Sequence, residues 1–278
     1  VIPALLVIAL IGYTAISAQG EFVQASYEIE LQKPGAELED ARYLRDGNLL
    51  LVGGSESECF GVLTDTASQS VQPLWEISGG FRGLSVLPDR VVLACETARY
   101  QDGVVQKQIK LFSYGSSDFS QLGKTTVLRG LSDLSSGAFA AASDGTVYLL
   151  KGSEPNMLYI TEDVAESSEE KIQSLVPFCG LEEPISELVA APSNGGVYLV
   201  SQSGGLWRVN DDEVAAFSGD PVGDGLRMLD SELAVDEAGT VYRVSEEDLT
   251  VERLYASQSQ GAACLYQNGI LADFDSRL

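Results

Sequence analysis

The sequence predicts an all-β fold of repeated four-stranded units, preceded by one hydrophobic α-helix. Short apolar runs alternate with turn dipeptides along most of the 278 residues, and a strand–turn–strand shape recurs every ~40–50 residues. The residues before Glu21 carry no charge. The 28 glycines also suit short strands joined by tight turns.

The first 24 residues are predicted to form the helix. An apolar run covers Leu5 to Ile11, and a helix of about 18 residues is ~27 Å long, close to the apolar thickness of a bilayer. Three origins explain a chain that begins at Val1 inside this run: an arbitrary cut, a secretory signal left in place, or cleavage by a peptidase just before the run. The missing basic residues favour the last origin, which makes Val1 the mature N-terminus.

Six stretches after the helix share one shape, in which an apolar strand, a turn with Gly, Asp or Asn and a second apolar strand follow each other. Tight-turn dipeptides such as Asp144-Gly145 and Asn268-Gly269 tolerate the positive φ angles that hairpins need. Two further short strands follow each stretch where chain remains. The stretches are residues 41–54, 83–96, 137–152, 187–202, 228–239 and 263–275.

A four-stranded unit at this spacing is typical of a β-propeller blade. The chain contains five complete units and a sixth with two strands. Residues 25–32 alternate apolar and polar side chains and predict a strand that completes the sixth unit. We therefore predict a propeller domain over residues 25–278, closed by strands from both ends. Six blades are expected, with five or seven left open, and residues 21–25 or the last residues must supply one further strand.

The repeat resembles that of β-propeller proteins over about nine-tenths of the chain. It lacks the GH…WD signature of WD40 repeats and the Asp-box of sialidases, so the repeat by itself names no propeller family.

Composition restricts the possible functions. Asp and Glu total 41 against 17 Lys and Arg, a net charge of −24, so no basic stripe is available for a nucleic acid. The absence of histidine removes Ser-His-Asp triads, Cys-His pairs and HExxH zinc sites. We expect no enzymatic activity, no catalytic residue, no cofactor and no metal.

Two further residue classes are best explained by structure. Four cysteines, Cys59, Cys95, Cys179 and Cys264, allow three disulfide pairings, among which the sequence does not choose, and buried thiols are an equal alternative. The acidic clusters, such as residues 162–170, match no calcium loop and are expected to be solvated turns.

The N-terminal sequence LLVIALIGYTAIS resembles the N-terminal helix of type IV pilins and related filament subunits. In that family a prepilin peptidase cuts before the apolar run, and the retained helix anchors the subunit in the membrane and later forms the filament core. Two departures are Leu5, where those pilins usually carry glutamate, and Val1, where they usually carry a methylated aromatic residue.

This resemblance implies an extracellular structural subunit at the cell surface. Copies of the chain would assemble into a pilus-like filament that displays the propeller, and the membrane would be their partner before assembly. The predicted assembly residues are Val1, Ile2, Pro3, Leu5, Leu6, Ile8, Ala9, Gly12, Tyr13 and Ile16. The alternative is a membrane-anchored extracytoplasmic binding module that recognises a ligand on its propeller face.

Overall fold

Short strands account for all regular structure in the part of the chain that a computed structural model describes. Among these residues, no helix is both long and apolar enough to cross a membrane. The described residues are 6–16, 22–31, 37–44, 48–65, 70–101, 103–129, 131, 134, 138–191, 196–210, 213–228, 232–236, 238, 240–256, 262–266 and 270–274.

The first three groups of strands follow the predicted repeat of four, and we call each group a unit. Unit 1 contains β3 (Glu37–Tyr43), β4 (Asn48–Gly54), β5 (Glu58–Asp65) and β6 (Ser70–Ser78). Unit 2 contains β7 (Gly80–Val86), β8 (Arg90–Gln101), β9 (Val104–Gly115) and β10 (Thr125–Arg129). Unit 3 contains β11 (Phe139–Ala141), β12 (Val147–Lys151), β13 (Glu154–Glu166) and β14 (Glu170–Gly180).

Two more units and a closing sheet complete the fold. Unit 4 contains β15 (Ile185–Ala190), β16 (Val197–Ser201), β17 (Leu206–Asn210) and β18 (Glu213–Ala216). Unit 5 contains β20 (Arg227–Met228), β21 (Leu233–Val235), β22 (Thr240–Ser245) and β23 (Thr250–Ala256), with β19 (Ser218–Gly219) added beside β23. The closing sheet contains β1 (Leu6–Ile16), β2 (Phe22–Leu31), β24 (Ala262–Tyr266) and β25 (Ile270–Phe274).

Strands pair in chain order and antiparallel within each of units 1 to 5. Units 2 and 3 also join into one eight-stranded sheet, because β10 pairs in parallel with β14. The predicted all-β class is therefore confirmed. The first strands β3, β7, β11 and β15 contact one another in succession, which places them at the centre of the arrangement.

The hydrophobic core lies between the sheets rather than inside one of them. Leu50 and Leu93, from units 1 and 2, share one buried cluster, and Tyr198 and Tyr242, from units 4 and 5, share another. Trp75 stacks on Tyr114 of the next unit, with ring centroids 4.7 Å apart. Aromatic residues therefore pack between units.

Two thiols lie in the core between units 1 and 2. Cys59 and Cys95 are fully buried free cysteines, and a hydrogen bond with Cys59, together with burial, raises the pKa of the Cys95 thiol. Cys179 is a half-buried free thiol whose pKa burial also raises. These three cysteines match the buried-thiol alternative, while the Cys264 side chain lies outside the described structure.

The observed structure of the N-terminal apolar run differs from the predicted helix. Leu6–Ile16 form strand β1, which pairs with β2 from Leu6↔Leu31 onwards and with β25 at Gly12↔Ala272. A continuous apolar run fits a buried strand as well as a buried helix, and periodicity alone does not separate the two. Here β1 exchanges backbone hydrogen bonds with β2 along its length and pairs with β25 at one position, whereas a helix would satisfy these backbone groups internally.

The same sheet contains both ends of the chain. The strand order β2-β1-β25-β24 includes the predicted strand over residues 25–32 and the two strands of the sixth repeat. The missing strand is β1, not residues 21–25 alone or the last residues. The boundary predicted at residue 24 therefore falls inside β2, and residues 6–16 belong to the β fold.

Deletion of residues 1–17 tests the closing sheet. Because the deletion removes β1 and leaves β2 and β25 without their shared partner, we expect loss of a large part of the free energy of unfolding, which totals about 5–15 kcal/mol for a domain. Urea unfolding monitored by tryptophan fluorescence measures it. Deletion of residues 1–5 is the control, since it leaves β1 whole. Equal stability of the two truncated chains would contradict the strand assignment.

Candidate functional site

A central cavity of about 820 Å³ is bordered by residues of units 1 to 4 and of the loop that precedes unit 5. The first strands converge on it, and β20 reaches it through the loop that precedes it. Its apolar part consists of Phe81, Leu84, Phe139, Leu188 and Leu226. Its polar part consists of Glu39, Asp40, Arg42, Ser186, Glu187, Gln202, Ser203 and Asp224.

The apolar lining follows from the strand register. Leu84, Phe139 and Leu188 occupy equivalent places on three first strands, because each pairs with a fully buried leucine of the next strand. The pairs are Leu84↔Leu93, Phe139↔Leu149 and Leu188↔Leu199. The repeat in sequence therefore produces a ring of apolar side chains around the cavity.

Close approach of the first strands depends on one glycine. A Cβ atom at Gly83 would lie 2.8 Å from the Cβ of Phe139, so a larger residue would force β7 away from β11. The Ser85 hydroxyl accepts a hydrogen bond from the Ala141 amide at 2.8 Å, in a buried contact between the same strands. These contacts hold two walls of the cavity together.

Glu187 joins two other walls. Its Oε2 atom accepts a hydrogen bond from the Met228 amide at 3.0 Å, which connects β15 to β20. On β3, Asp40 lies 3.1 Å from the Nε atom of Arg42 and also accepts a hydrogen bond from the Ala41 amide at 2.7 Å. Both carboxylates therefore have structural partners as well as a position on the cavity.

Glu39 and Asp224 make no ion pair with another described residue. Burial, followed by the nearby Glu37 carboxylate, raises the pKa of Glu39, and the Arg82 guanidinium opposes this rise. Arg82 itself bonds Glu96 at 3.1 Å and the Phe81 carbonyl at 2.8 Å. Glu39 therefore remains the cavity carboxylate whose negative charge is least compensated by its surroundings.

A buried hydrogen-bond network holds the loop that carries Asp224. Asp236 is 6 % exposed and accepts hydrogen bonds from the Thr240 amide and the Tyr242 hydroxyl, both at 2.8 Å. The Tyr242 oxygen in turn accepts one from the Gly223 amide at 3.3 Å. Burial, followed by the hydrogen bond to Asp236, raises the pKa of Tyr242. The phenol thus stays protonated and donates to the carboxylate.

The second strand of unit 4 contributes a polar turn at the cavity. Ser203 donates a hydrogen bond to Glu183 and lies 3.1 Å from the Ser201 hydroxyl. Gly204 has a φ angle of +85°, and a Cβ atom there would lie 2.6 Å from the Gly223 carbonyl oxygen. This contact packs the Ser203 turn against the loop that carries Asp224.

None of the sequence-predicted assembly residues belongs to the described lining of this cavity. Leu6, Ile8, Ala9, Gly12, Tyr13 and Ile16 lie on β1 in the closing sheet. Val1, Ile2, Pro3 and Leu5 lie outside the described residues. Their role in assembly stays a prediction.

Sequence reasoning nominated no residue of the cavity, although a signal was present. The first strand of each propeller blade borders the central channel, so charged residues in these strands point to a site. Glu39 and Asp40 precede the first repeat, and Glu187 begins the fourth. Among the described residues, no group of three metal-ligating side chains could hold an ion.

No protein-family model matches the sequence, and no curated protein matches it. Solved structures do match. The complex of KlAtg21 with the coiled coil of AgAtg16 has a TM-score of 0.50 and 14 % identity, over 90 % of this chain and 82 % of that one. TolB from Acinetobacter baumannii has a TM-score of 0.49 and 10 % identity over 91 % of this chain, and the chain spans 64 % of the TolB chain.

A third similar structure is the β-propeller domain of Myceliophteria thermophila Cps50 (Swd1), with a TM-score of 0.46 and 13 % identity, over 80 % of this chain and 71 % of that one. Antiparallel four-stranded units whose first strands surround one cavity define the architecture. The chain has a β-propeller fold. At sequence identities this low, the similarity concerns the fold alone.

Asp236→Ala tests the network that supports the propeller cavity. We expect the free energy of unfolding to fall by about 2–3 kcal/mol, because two buried donors lose a charged acceptor. Asp144→Ala is the control, since Asp144 accepts the Thr146 amide in an exposed turn, and we expect a loss of about 1 kcal/mol or less. Chemical denaturation measures both. Equal losses of unfolding free energy in the two variants would show that the buried Asp236 network stabilises the protein no more than an exposed turn does.

Glu39→Gln tests the charge in the cavity. A carboxyl whose pKa is raised on folding destabilises the protein as pH rises from the unfolded pKa, ~4.3, through the folded pKa. We therefore expect the variant to gain stability over the native chain at pH 7 and to lose this advantage near pH 4. Urea titrations across this range measure it, with Glu213→Gln on β18 as an exposed control. A difference that is constant with pH would contradict the expectation.

Proposed function

We propose that this protein is a binding module, a six-bladed β-propeller whose central cavity receives an amine or guanidinium group of a ligand. The cavity itself carries the proposal, since units 1 to 4 and the loop before β20 enclose about 820 Å³ of space with an apolar wall and several carboxylates. Few precisely placed polar groups in an apolar concavity are the usual composition of a ligand site.

The strand groups support the proposed six blades. Units 1 to 5 supply five blades, and the closing sheet of β24, β25, β1 and β2 supplies the sixth. Ring closure by strands from both termini would leave no unpaired blade edge at the junction.

The charge of the lining selects the ligand class. The lining residues include four carboxylates and one guanidinium, that of Arg42, which is already paired with Asp40. Glu39 and Asp224 are then available to a cation. A cationic group on an aliphatic stem would place its stem against Phe139 and Leu226, as arginine and lysine side chains do at apolar surfaces.

Binding without catalysis is part of the proposal. The chain contains no histidine, and the described polar lining consists of four carboxylates, two serine hydroxyls, one amide and one guanidinium. The filament function would need its helical core, which the structure replaces by β1 over Leu6–Ile16. The binding module, our alternative from sequence, is therefore the function that we propose. Extracellular display at the cell surface and a membrane partner stay predictions.

Calorimetric titration with acetyl-leucyl-arginine amide tests the proposal. We expect the native chain to bind this probe and the Glu39→Gln/Asp224→Asn variant to bind it about tenfold more weakly or worse, which corresponds to ~1.4 kcal/mol. The same probe with citrulline in place of arginine measures the contribution of charge, and Glu213→Gln is the matched control variant. Equal binding of arginine and citrulline probes, or full binding by the double variant, would refute the ligand class.

A further inference from the structure

The hairpin of β8 and β9 extends beyond its sheet. The pairing of β7 with β8 ends at Gly80↔Glu96, and that of β10 with β9 ends at Leu128↔Ile109. Beyond these points β8 and β9 pair only with each other, up to Gln101↔Val104. We call residues 98–101 and 104–107 ribbon A. Both of its edges lack a neighbouring strand among the described residues.

Ribbon A exposes apolar side chains in a highly charged protein. Tyr100 is 74 % exposed, and its cross-strand partner Val105 is 62 % exposed. Val104 beside them is 58 % exposed. An isolated two-stranded ribbon is only marginally stable in water, and apolar groups clustered at its end indicate a contact surface.

Ribbon A also presents a cation without an ion pair among the described residues. Arg99 and Lys107 stand on it, and Arg99 makes no ion pair with a described residue, whereas Lys107 lies 2.6 Å from Glu96. Residues 98–107 contain two cations and one anion in a chain with a net charge of −24. The surface that this ribbon can contact is therefore acidic.

The chain itself carries such a surface on the hairpin of β13 and β14. We call residues 162–169 ribbon B. All eight are exposed, four of them are acidic, and Val164 among them is 52 % exposed. Lys171 and Lys124 each lie 2.7 Å from a carboxylate, of Asp163 and Glu166, while Glu162 and Glu169 have no ion pair with a described residue. The β12 pairing with β13 ends before this segment, at Tyr148↔Ile160, so β13 has an open edge here.

The two hairpin tips point in opposite directions. Strand β10 is antiparallel to β9, so ribbon A continues past the C-terminal end of β10, beyond Leu128↔Ile109. Strand β10 is parallel to β14, so the tip of ribbon B lies past the N-terminal end of β10, beyond Thr125↔Glu170. The tips of ribbon A and ribbon B therefore do not contact each other within one chain. When two copies stack in the same direction, the tip of ribbon A in one copy approaches the tip of ribbon B in the next.

We propose that ribbon A docks on ribbon B of a second copy of this chain, in a head-to-tail contact. Arg99 meets the carboxylates of the ribbon B tip, Tyr100 and Val105 cover Val164, and the open strand edges satisfy each other. Because the contact joins two different surfaces, each copy keeps one free surface of each kind, and the assembly grows as an open chain. The proposal is independent of the central cavity, since neither ribbon lines it.

Sedimentation velocity of the full chain from about 1 to 200 μM, the range of weak protein contacts, tests the proposal. We expect the mean sedimentation coefficient to rise with concentration past the dimer value. Arg99→Glu and Glu169→Lys should each weaken association about tenfold or more. An equimolar mixture of these two variants should restore it, because each contact between the two different variants regains opposite charges and alternating copies can form a chain.

Matched variants separate docking from folding. Tyr100→Ser/Val105→Ser should also weaken association, whereas Val214→Ser and Glu213→Lys on β18 should leave it unchanged. All variants should unfold within about 2 °C of the native chain, because the altered side chains are exposed. A native chain that stays monomeric throughout overturns the proposal. So does association that Arg99→Glu leaves intact, or a mixture of the two charge variants that fails to associate.

Discussion

The pairing of the two chain ends is the constraint on which the rest of the structure depends. Strand β1 lies between β2 and β25, and among the described strands only this sheet combines the two ends of the chain. The other sheets are made of strands close in sequence, so their formation costs little loop entropy. The closing sheet must bring together residues about 260 positions apart, Gly12 and Ala272.

Ring closure also explains the position of the cavity. When four-stranded units surround an axis, their first strands come together, and side chains on those strands line a common space. Gly83, which allows β7 to approach Phe139, and Glu187, which bonds the Met228 amide, set the width of this space locally. Asp236 acts indirectly. It accepts a hydrogen bond from the Tyr242 hydroxyl, which in turn accepts one from the amide of the residue before Asp224. The cavity thus depends on a few polar contacts between units whose cores are otherwise apolar.

The distribution of charge has two consequences. A net charge of −24 keeps copies of the chain apart at long range. The few cations are largely used in pairs, such as Lys124 with Glu166 and Arg82 with Glu96, so an unpaired cation on a projecting ribbon stands out. The same acidity makes the cavity rim attractive to positively charged groups. Both proposals therefore use one property of the composition, at two separate places in the fold.

The sequence by itself determined the β class, the period of the unit and the strand at residues 25–32, because turn dipeptides and alternating side chains are local signals. It left the state of Leu6–Ile16 undetermined, since a continuous apolar run fits a buried strand or a buried helix equally well. Only the tertiary structure decided it, through the partners β2 and β25. The cavity was likewise beyond sequence reasoning, because Glu39, Glu187 and Asp224 border one space only when β3, β15 and the loop before β20 come together. Local sequence patterns indicate which face of a strand is buried, whereas the long-range pairing of strands decides which residues pack against that face.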